Sequence, residues 1–158
     1  MGAVETVDDN ADVLVDATSC TSDLCVAGVP SNPPVSVNTA CSEGSGVQCD
    51  GNGACVECIA ASDCAGVDDE CKTRTCTAGV CGVSFTAVNT AVSSQTVKDC
   101  KKNVCDGAGA VVPANDDTDL PDDNNACTGD TCVSGTPTFA NLGSGTVCGA
   151  TQVCDGGG

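Results

Sequence analysis

Cys20, Cys25 and Cys41 recur as Cys127, Cys132 and Cys148, an unchanged offset of 107 residues. Laid over residues 109–148 without a gap, residues 2–41 also match at Gly2-Ala3-Val4, Asp9/Asp116, Asp12/Asp119, Asp16/Asp123, Asp23/Asp130, Gly28/Gly135 and Pro30/Pro137. One two-residue deletion then brings Cys49-Asp50-Gly51 onto Cys154-Asp155-Gly156. Self-similarity at a fixed period means one structural unit used again, each copy helping to cover its neighbour. The chain accordingly divides into a cysteine-rich repeat unit over residues 2–108 and a truncated second copy over 109–158. Whatever the first copy folds into, the second must fold into as well.

Little in that unit can form an ordinary core. The chain has no Trp and no Tyr, and Phe85 and Phe139 are its only aromatic residues. Its apolar content is mostly Val, Ala and Cys. Side chains such as Leu or Phe stabilise by roughly 1.5–3 kcal/mol each when buried. Without them, burial cannot offset the conformational entropy of so many Gly, Ser, Thr and Asp residues. Disulfides at about 2–4 kcal/mol each are of the size that closes such a gap. All sixteen cysteines are therefore read as disulfide partners: Cys20, Cys25, Cys41, Cys49, Cys55, Cys58, Cys64, Cys71, Cys76, Cys81, Cys100, Cys105, Cys127, Cys132, Cys148 and Cys154. Bonds of this kind persist in oxidising surroundings, which places the protein outside the cell or on its surface.

Zinc and iron–sulfur clusters fit the cysteines less well. There is no His, and only Cys55-x2-Cys58 has the close spacing that zinc ribbons use twice. Nothing around that pair reads as a βαβ unit, so a redox-active site is not expected either. Cys55 and Cys58 read instead as ends of two structural bridges. The twelve cysteines from Cys20 to Cys105 make one full period, an even number that permits six bridges closed within a repeat without requiring them.

Charge is as unevenly placed as cysteine. Lys72, Arg74, Lys98, Lys101 and Lys102 are the only basic residues, and 21 of the 22 acidic ones lie outside that stretch. A net charge of −17 argues against a nucleic-acid partner, since phosphate recognition needs a basic surface. The segregation reads first as a soluble acidic surface with a few scattered lysines, and alternatively as a basic middle that meets acidic segments of an adjacent unit or strand. No run approaches the roughly 18 apolar residues of a membrane span. Residues 1–20 lack the basic start and apolar stretch of a signal peptide, so any export signal is expected upstream.

A shorter module lies inside the long period: Cys-x4-Cys-x2-Gly at Cys20/Cys25/Gly28, Cys71/Cys76/Gly79 and Cys127/Cys132/Gly135, with Cys100/Cys105 as a variant whose Gly falls at 107 and 109. Between modules the expected secondary structure is sparse and extended. Val83, Phe85 and Ala87 alternate with Ser84 and Thr86 as a strand does, with Val92 and Gln95-Thr96-Val97 as a candidate partner. Asp50-Gly51, Asn52-Gly53, Asp106-Gly107, Asp155-Gly156 and Ser31-Asn32-Pro33-Pro34 mark turns. One helical turn is expected near Ile59-Ala60-Ala61-Ser62-Asp63. The expected fold class is small, disulfide-rich and mostly irregular with short β-hairpins, a tandem repeat of about 107 residues forming an elongated rod or filament.

Three segments carry a resemblance: Cys49-Asp-Gly-Asn-Gly-Ala-Cys55-Val-Glu-Cys58, Asp69-Glu-Cys71-Lys-Thr-Arg-Thr-Cys76-Thr-Ala-Gly-Val-Cys81 and Asp123-Asn-Asn-Ala-Cys127-Thr-Gly-Asp-Thr-Cys132. In spacing and in the small residues between cysteines they resemble the cysteine-rich tandem repeats of large secreted proteins of myxobacteria and related deltaproteobacteria. The resemblance covers nearly the whole chain. It implies a long repetitive polypeptide in a bacterial extracellular or envelope location, with no enzymatic residues to carry over.

Catalysis is not expected on inventory grounds. The chain lacks His, Tyr and Gly-x-Ser-x-Gly, and its general bases are solvated carboxylates. The one patterned candidate is a cation site. Asp8, Asn10, Asp12 and Asp16 recur at the repeat offset as Asn115, Asp117, Asp119 and Asp123, and alternate oxygen ligands can converge on Ca²⁺. Against an EF-hand, Val13 and Leu120 stand where the loop needs Gly, and Ser19 and Ala126 where a bidentate Glu belongs. The competing reading is a solvated acidic turn leading into the Cys20 and Cys127 modules. The expected function is a structural protein, an extracellular disulfide-stapled fibre or cell-surface stalk, with copies of the same repeat as partners, covalently continuous or head-to-tail. No cofactor is required. The alternative is a Ca²⁺-dependent adhesion or ligand-binding module of a large surface protein.

Overall fold

The Cys-x4-Cys-x2-Gly spacing encodes a β-hairpin. In Ala27-Gly28, Ala78-Gly79 and Ser134-Gly135 both residues have positive φ: 52° and 75°, 51° and 80°, 51° and 73°. Two successive left-handed residues form a type I′ turn, whose twist matches the strands it joins and whose second position favours Gly. The computed structural model describes residues 7–158, so the Gly2-Ala3-Val4 part of the repeat match lies outside it. Its first strands are β1 (Leu24–Val26), β2 (Val29–Ser31), β3 (Ala40–Glu43), β4 (Gly46–Cys49) and β5 (Cys55–Val56). After a 3₁₀ turn at Ala61–Asp63 come β6 (Lys72–Thr77), β7 (Val80–Phe85), β8 (Lys101–Cys105), β9 (Val111–Asn115), β10 (Thr128–Val133) and β11 (Thr136–Asn141).

The strands pair as β1–β2, β3–β4–β5, β6–β7, β8–β9 and β10–β11. The alternation around Val83 and Phe85 is met by β7, but its partner is β6 and not the Val92–Val97 segment. A two-residue turn delivers β6 directly, while Val92 is drawn into the core beside Cys71 and Cys105. The expected helical turn near Ile59–Asp63 is the 3₁₀ turn, closed by Asp63 Oδ2, which accepts the Ile59 and Ala60 amides at 2.8 Å each.

A second turn recurs in Asp50-Gly-Asn-Gly-Ala54 and Asp106-Gly-Ala-Gly-Ala110. Asp50 Oδ1 accepts from the Asn52 and Ala54 amides at 2.7 and 3.0 Å, and Asp106 Oδ1 from Ala108 and Ala110 at 2.7 and 2.9 Å. A carboxylate that satisfies its own turn's amides explains why Asp, with Gly after it, opens each of these loops. Asp155 Oδ1 accepts the Gly157 amide at 2.7 Å and begins the same turn a third time.

Three sets of contacts repeat in this way. The bridges Cys20–Cys49, Cys71–Cys105 and Cys127–Cys154 have Cα separations of 5.4, 5.3 and 5.3 Å. The carbonyls of Cys20, Cys71 and Cys127 accept from Val35, Thr86 and Leu142 at 2.9, 2.9 and 2.8 Å. The amides of Cys49, Cys105 and Cys154 donate to Thr39, Thr90 and Thr146 at 2.8, 2.9 and 2.8 Å. Each module thus leaves its first cysteine as a hairpin and returns to a cysteine bonded to the first.

Sulfur is the core of these modules. The buried residues are eight cysteines, Val92, Val104, Pro121 and two glycines, and no charged or hydrogen-bonding side chain is buried among the described residues. Leu14, Leu120, Phe85 and Phe139 are exposed. The chain forms two compact units, one with residues up to Val67 and Arg74–Ser84, the other with Asp68–Thr73 and Phe85–Gly158. The β6–β7 hairpin contributes residues to both, so these units and the sequence period divide the chain at different places.

Candidate functional site

Disulfide chemistry is the chemistry this sequence carries, and fourteen cysteines form seven bridges. Beside the three module staples these are Cys41–Cys55, Cys58–Cys76, Cys64–Cys81 and Cys100–Cys132. Cys55 and Cys58 are ends of two separate bridges, as expected. One expectation needs correction. Cys25 and Cys148 are free thiols, both partly exposed, so the sixteen cysteines do not all pair. The choice left open between bridges closed within one period and bridges that leave it is also answered, because Cys100 of the first copy bonds Cys132 of the second. Cys132 is the repeat counterpart of Cys25, so the cysteine that reaches across the 108/109 boundary in one copy is reduced in the other.

Sequence reasoning missed both thiols because an even cysteine count invites complete pairing. The available signal was the repeat itself, which compares each cysteine with its counterpart. Three groups of sulfurs lie within 4.8 Å of one another: Cys20/Cys41/Cys49, Cys58/Cys64/Cys81 and Cys127/Cys148/Cys154. Each contains at least one intact disulfide, which has no thiolate to offer a metal.

The acidic candidates serve the turns. Asn10 Oδ1 accepts the Gly28 amide at 3.3 Å, and its counterpart Asp117 accepts the Gly135 amide at 2.7 Å. Asp16 accepts from the Thr18 amide at 2.9 Å and the Thr21 hydroxyl at 2.8 Å. Asp123 does the same for Asn125 and Thr128, at 2.8 and 2.9 Å. Asp119 accepts the Asp99 amide at 2.9 Å, and Asn115 the Lys101 ammonium at 2.7 Å. Asp8 lies against Gly28, and the Asp12 amide donates to the Asp9 carbonyl at 3.4 Å. Among the described residues, the clusters of three or more His, Cys, Asp or Glu that could hold an ion contain cysteine only.

Hydrogen bonding also favours the ionised form of three of the turn carboxylates, Asp50, Asp106 and Asp16. The Asn52 amide, then that of Ala54, holds the Asp50 carboxyl below the ordinary aspartate range. The Ala110 amide, then that of Ala108, does so for Asp106, and the Thr18 amide and Thr21 hydroxyl for Asp16. A carboxylate kept ionised by amides is the opposite of the raised, proton-holding group that acid catalysis uses. Lys98 of the basic middle donates to Asp122 at 2.5 Å, and this contact raises the Lys98 pKa. It joins a base of the first sequence copy to an acid of the second. No family model, no curated protein and no solved structure matches this chain significantly.

Proposed function

We propose that the chain is a structural protein, a stretch of repeat polypeptide in an extracellular, disulfide-stapled fibre or a stalk on a bacterial cell surface. The Cys100–Cys132 bridge carries this reading, because it ties one sequence copy to the next while the other bridges staple segments within a copy. A repeat whose copies are bonded one to the next tends to extend when further copies follow, each presenting the surface its successor needs. Seven bridges accord with an oxidising location. No helix among the described residues is long and apolar enough to cross a membrane. The partners are further copies of the same repeat.

Electron microscopy of native material, with and without reductant and with and without a calcium chelator, tests the proposal. Regular filaments with an axial repeat, stable to chelator and lost on reduction, are the expected result. Dispersed particles under every condition would overturn it. Filaments loosened by chelator alone would instead favour a Ca²⁺-dependent assembly through the acidic turns.

A further inference from the structure

We propose that Cys148 and the groove beside it form an acceptor site for the repeat's counterpart of β5, closed by a disulfide between Cys148 and that strand's leading cysteine. The first copy supplies the template. There β4 lies between β3 and β5, with Ala40 opposite Gln48, Gln48 opposite Val56 and Cys49 opposite Cys55. Cys55 arrives through the Asp50 turn and bonds Cys41.

The second copy repeats the first two strands of this arrangement and its staple. Val147 bridges Val153 as Ala40 pairs with Gln48, and Cys127–Cys154 stands for Cys20–Cys49. Cys148 takes the place of Cys41, its sulfur 3.2 Å from that of Cys127. Beside Cys148 there is an open groove of about 480 Å³, bounded in part by Asn125, Ala126, Cys127, Gln152 and Val153. Cys148 and Val153 are the counterparts of the residues that hold β5 in the first copy, one by disulfide and one by backbone pairing. The Cys154 amide donates to Thr146 and its carbonyl accepts from Gly145. Backbone groups alternate along a strand, so the amide of Val153 faces the opposite, groove side.

The middle module identifies the chemistry of the occupant. There Val92 stands where Cys41 and Cys148 stand, and the strand after the Asp106 turn begins with Val111 in place of Cys55. Val111 pairs with Cys105 as Cys55 pairs with Cys49, and Val104 pairs with Val112 as Gln48 does with Val56. Ala91 bridges Val104 in the same register, and Val92 and Val111 line one groove. The acceptor residue and the incoming residue therefore match in kind, Cys with Cys and Val with Val. A cysteine at 148 calls for a cysteine at the head of the strand it receives. Asp155 already begins the turn that delivers such a strand in both earlier modules. By the same correspondence Cys25 copies Cys76 and Cys132, each bonded to a cysteine that precedes its module, so it belongs to the opposite joint.

Closing the bond removes two protons and two electrons from two thiols, and a disulfide oxidant such as oxidised glutathione takes up the electrons and becomes two thiols. The test compares the 158-residue chain with one extended after Gly158 by Ala-Cys-Val-Glu. Both are folded in glutathione buffer, alkylated without reduction and mapped by mass spectrometry. The parent is expected to be alkylated at Cys25 and Cys148, the extended chain at Cys25 alone, with Cys148 bonded to the added cysteine. Adding Cys148→Ala to the extended chain exposes the added cysteine. Alkylation of Cys148 together with the added cysteine would overturn the proposal, as would a parent in which Cys148 is already bonded. An extension of Ala-Ser-Val-Glu tests docking without the bond: hydrogen exchange at the Val153 amide is expected to slow on the order of tenfold, and an unchanged rate would overturn strand docking. The site rests on the repeat reading but not on fibre formation. A chain that closes the Cys148 bond and never forms filaments would leave the site standing and remove the fibre.

Discussion

Replacing Cys71 and Cys105 together by Ala removes one module staple and leaves no new thiol to reshuffle. The bond joins residues 34 apart, and the pairing pattern of the other six bridges offers no shorter path between its ends. Chain-entropy scaling for a loop of that length gives a loss of about 4 kcal/mol, against about 3 kcal/mol for the shorter Cys41–Cys55 loop. Val92, 7 % exposed, also loses the sulfurs it packs against, which adds to the first figure. Without Trp or Tyr there is no intrinsic fluorescence worth following, so hydrogen exchange is the appropriate assay. The informative amides are Asn89, which donates to the Cys105 carbonyl at 2.8 Å, and residue 105, which donates to Thr90 at 2.9 Å. A loss of about 4 kcal/mol corresponds to exchange faster by nearly three decades. Asn38 and Cys49, the equivalent amides under the intact Cys20–Cys49 staple, are expected to keep their rates. Acceleration below tenfold at Asn89, or equal acceleration at Asn38, would refute the idea that each module is held by its own staple.

Gly44 and Gly79 both have positive φ, but an added Cβ meets nothing within 4 Å at Gly44 and the Val56 Cγ1 at 2.6 Å at Gly79. Gly44→Ala is expected to cost about 1 kcal/mol from backbone strain alone and Gly79→Ala about 3 kcal/mol, measured by denaturant titration followed by far-UV circular dichroism. Asp50 and Asp106 have folded pKa values below those of the unfolded chain. Their contribution is therefore complete above about pH 4 and is lost as pH falls through the lower folded values, where the unfolded chain already binds the protons. Asp50→Asn with Asp106→Asn is expected to flatten the fall in thermal midpoint between about pH 4 and pH 2, and an unchanged slope would show that other groups govern it. Val92→Cys with Val111→Cys is expected to form an eighth bridge and add about 3 kcal/mol. Alkylation mapping that finds both introduced thiols free would contradict the module correspondence.

Local geometry was legible wherever a residue type is tied to a backbone state. The Asp-Gly pairs foretold the carboxylate-capped loops, and the Gly three positions past the second cysteine recurs at the turns Ala27-Gly28, Ala78-Gly79 and Ser134-Gly135. Long-range choices were not legible. Spacing does not distinguish Cys100–Cys132 from a bond closed within the period, since loop-closure entropy changes only slowly with length. The strand at Phe85 was readable but its partner was not, because Val92 has the same apolar character whether it pairs in a sheet or packs on sulfur. Alternating Asp and Asn are common to cation loops and to self-capped turns. What separates them is the Thr18/Thr21 and Asn125/Thr128 donors already occupying Asp16 and Asp123.

The shorter module was legible at its hairpin but not over its full extent, because one of its positions changes chemical type. Val92 with Val111 replaces Cys41 with Cys55, so a search on cysteine alone finds the middle hairpin at Cys71/Cys76/Gly79 and misses the strand that returns to it. Val92 and Val111 line one groove beside a buried staple, and the cysteine pair adds a covalent bond worth about 3 kcal/mol. The staple is thus the constant element and the second pair the adjustable one. A chain built in this way can set the strength of each strand docking by one pair of residues, leaving the turns, the staple and the hairpin unchanged. Cysteine rather than valine at 148, half exposed beside an open groove, marks a docking meant to be covalent.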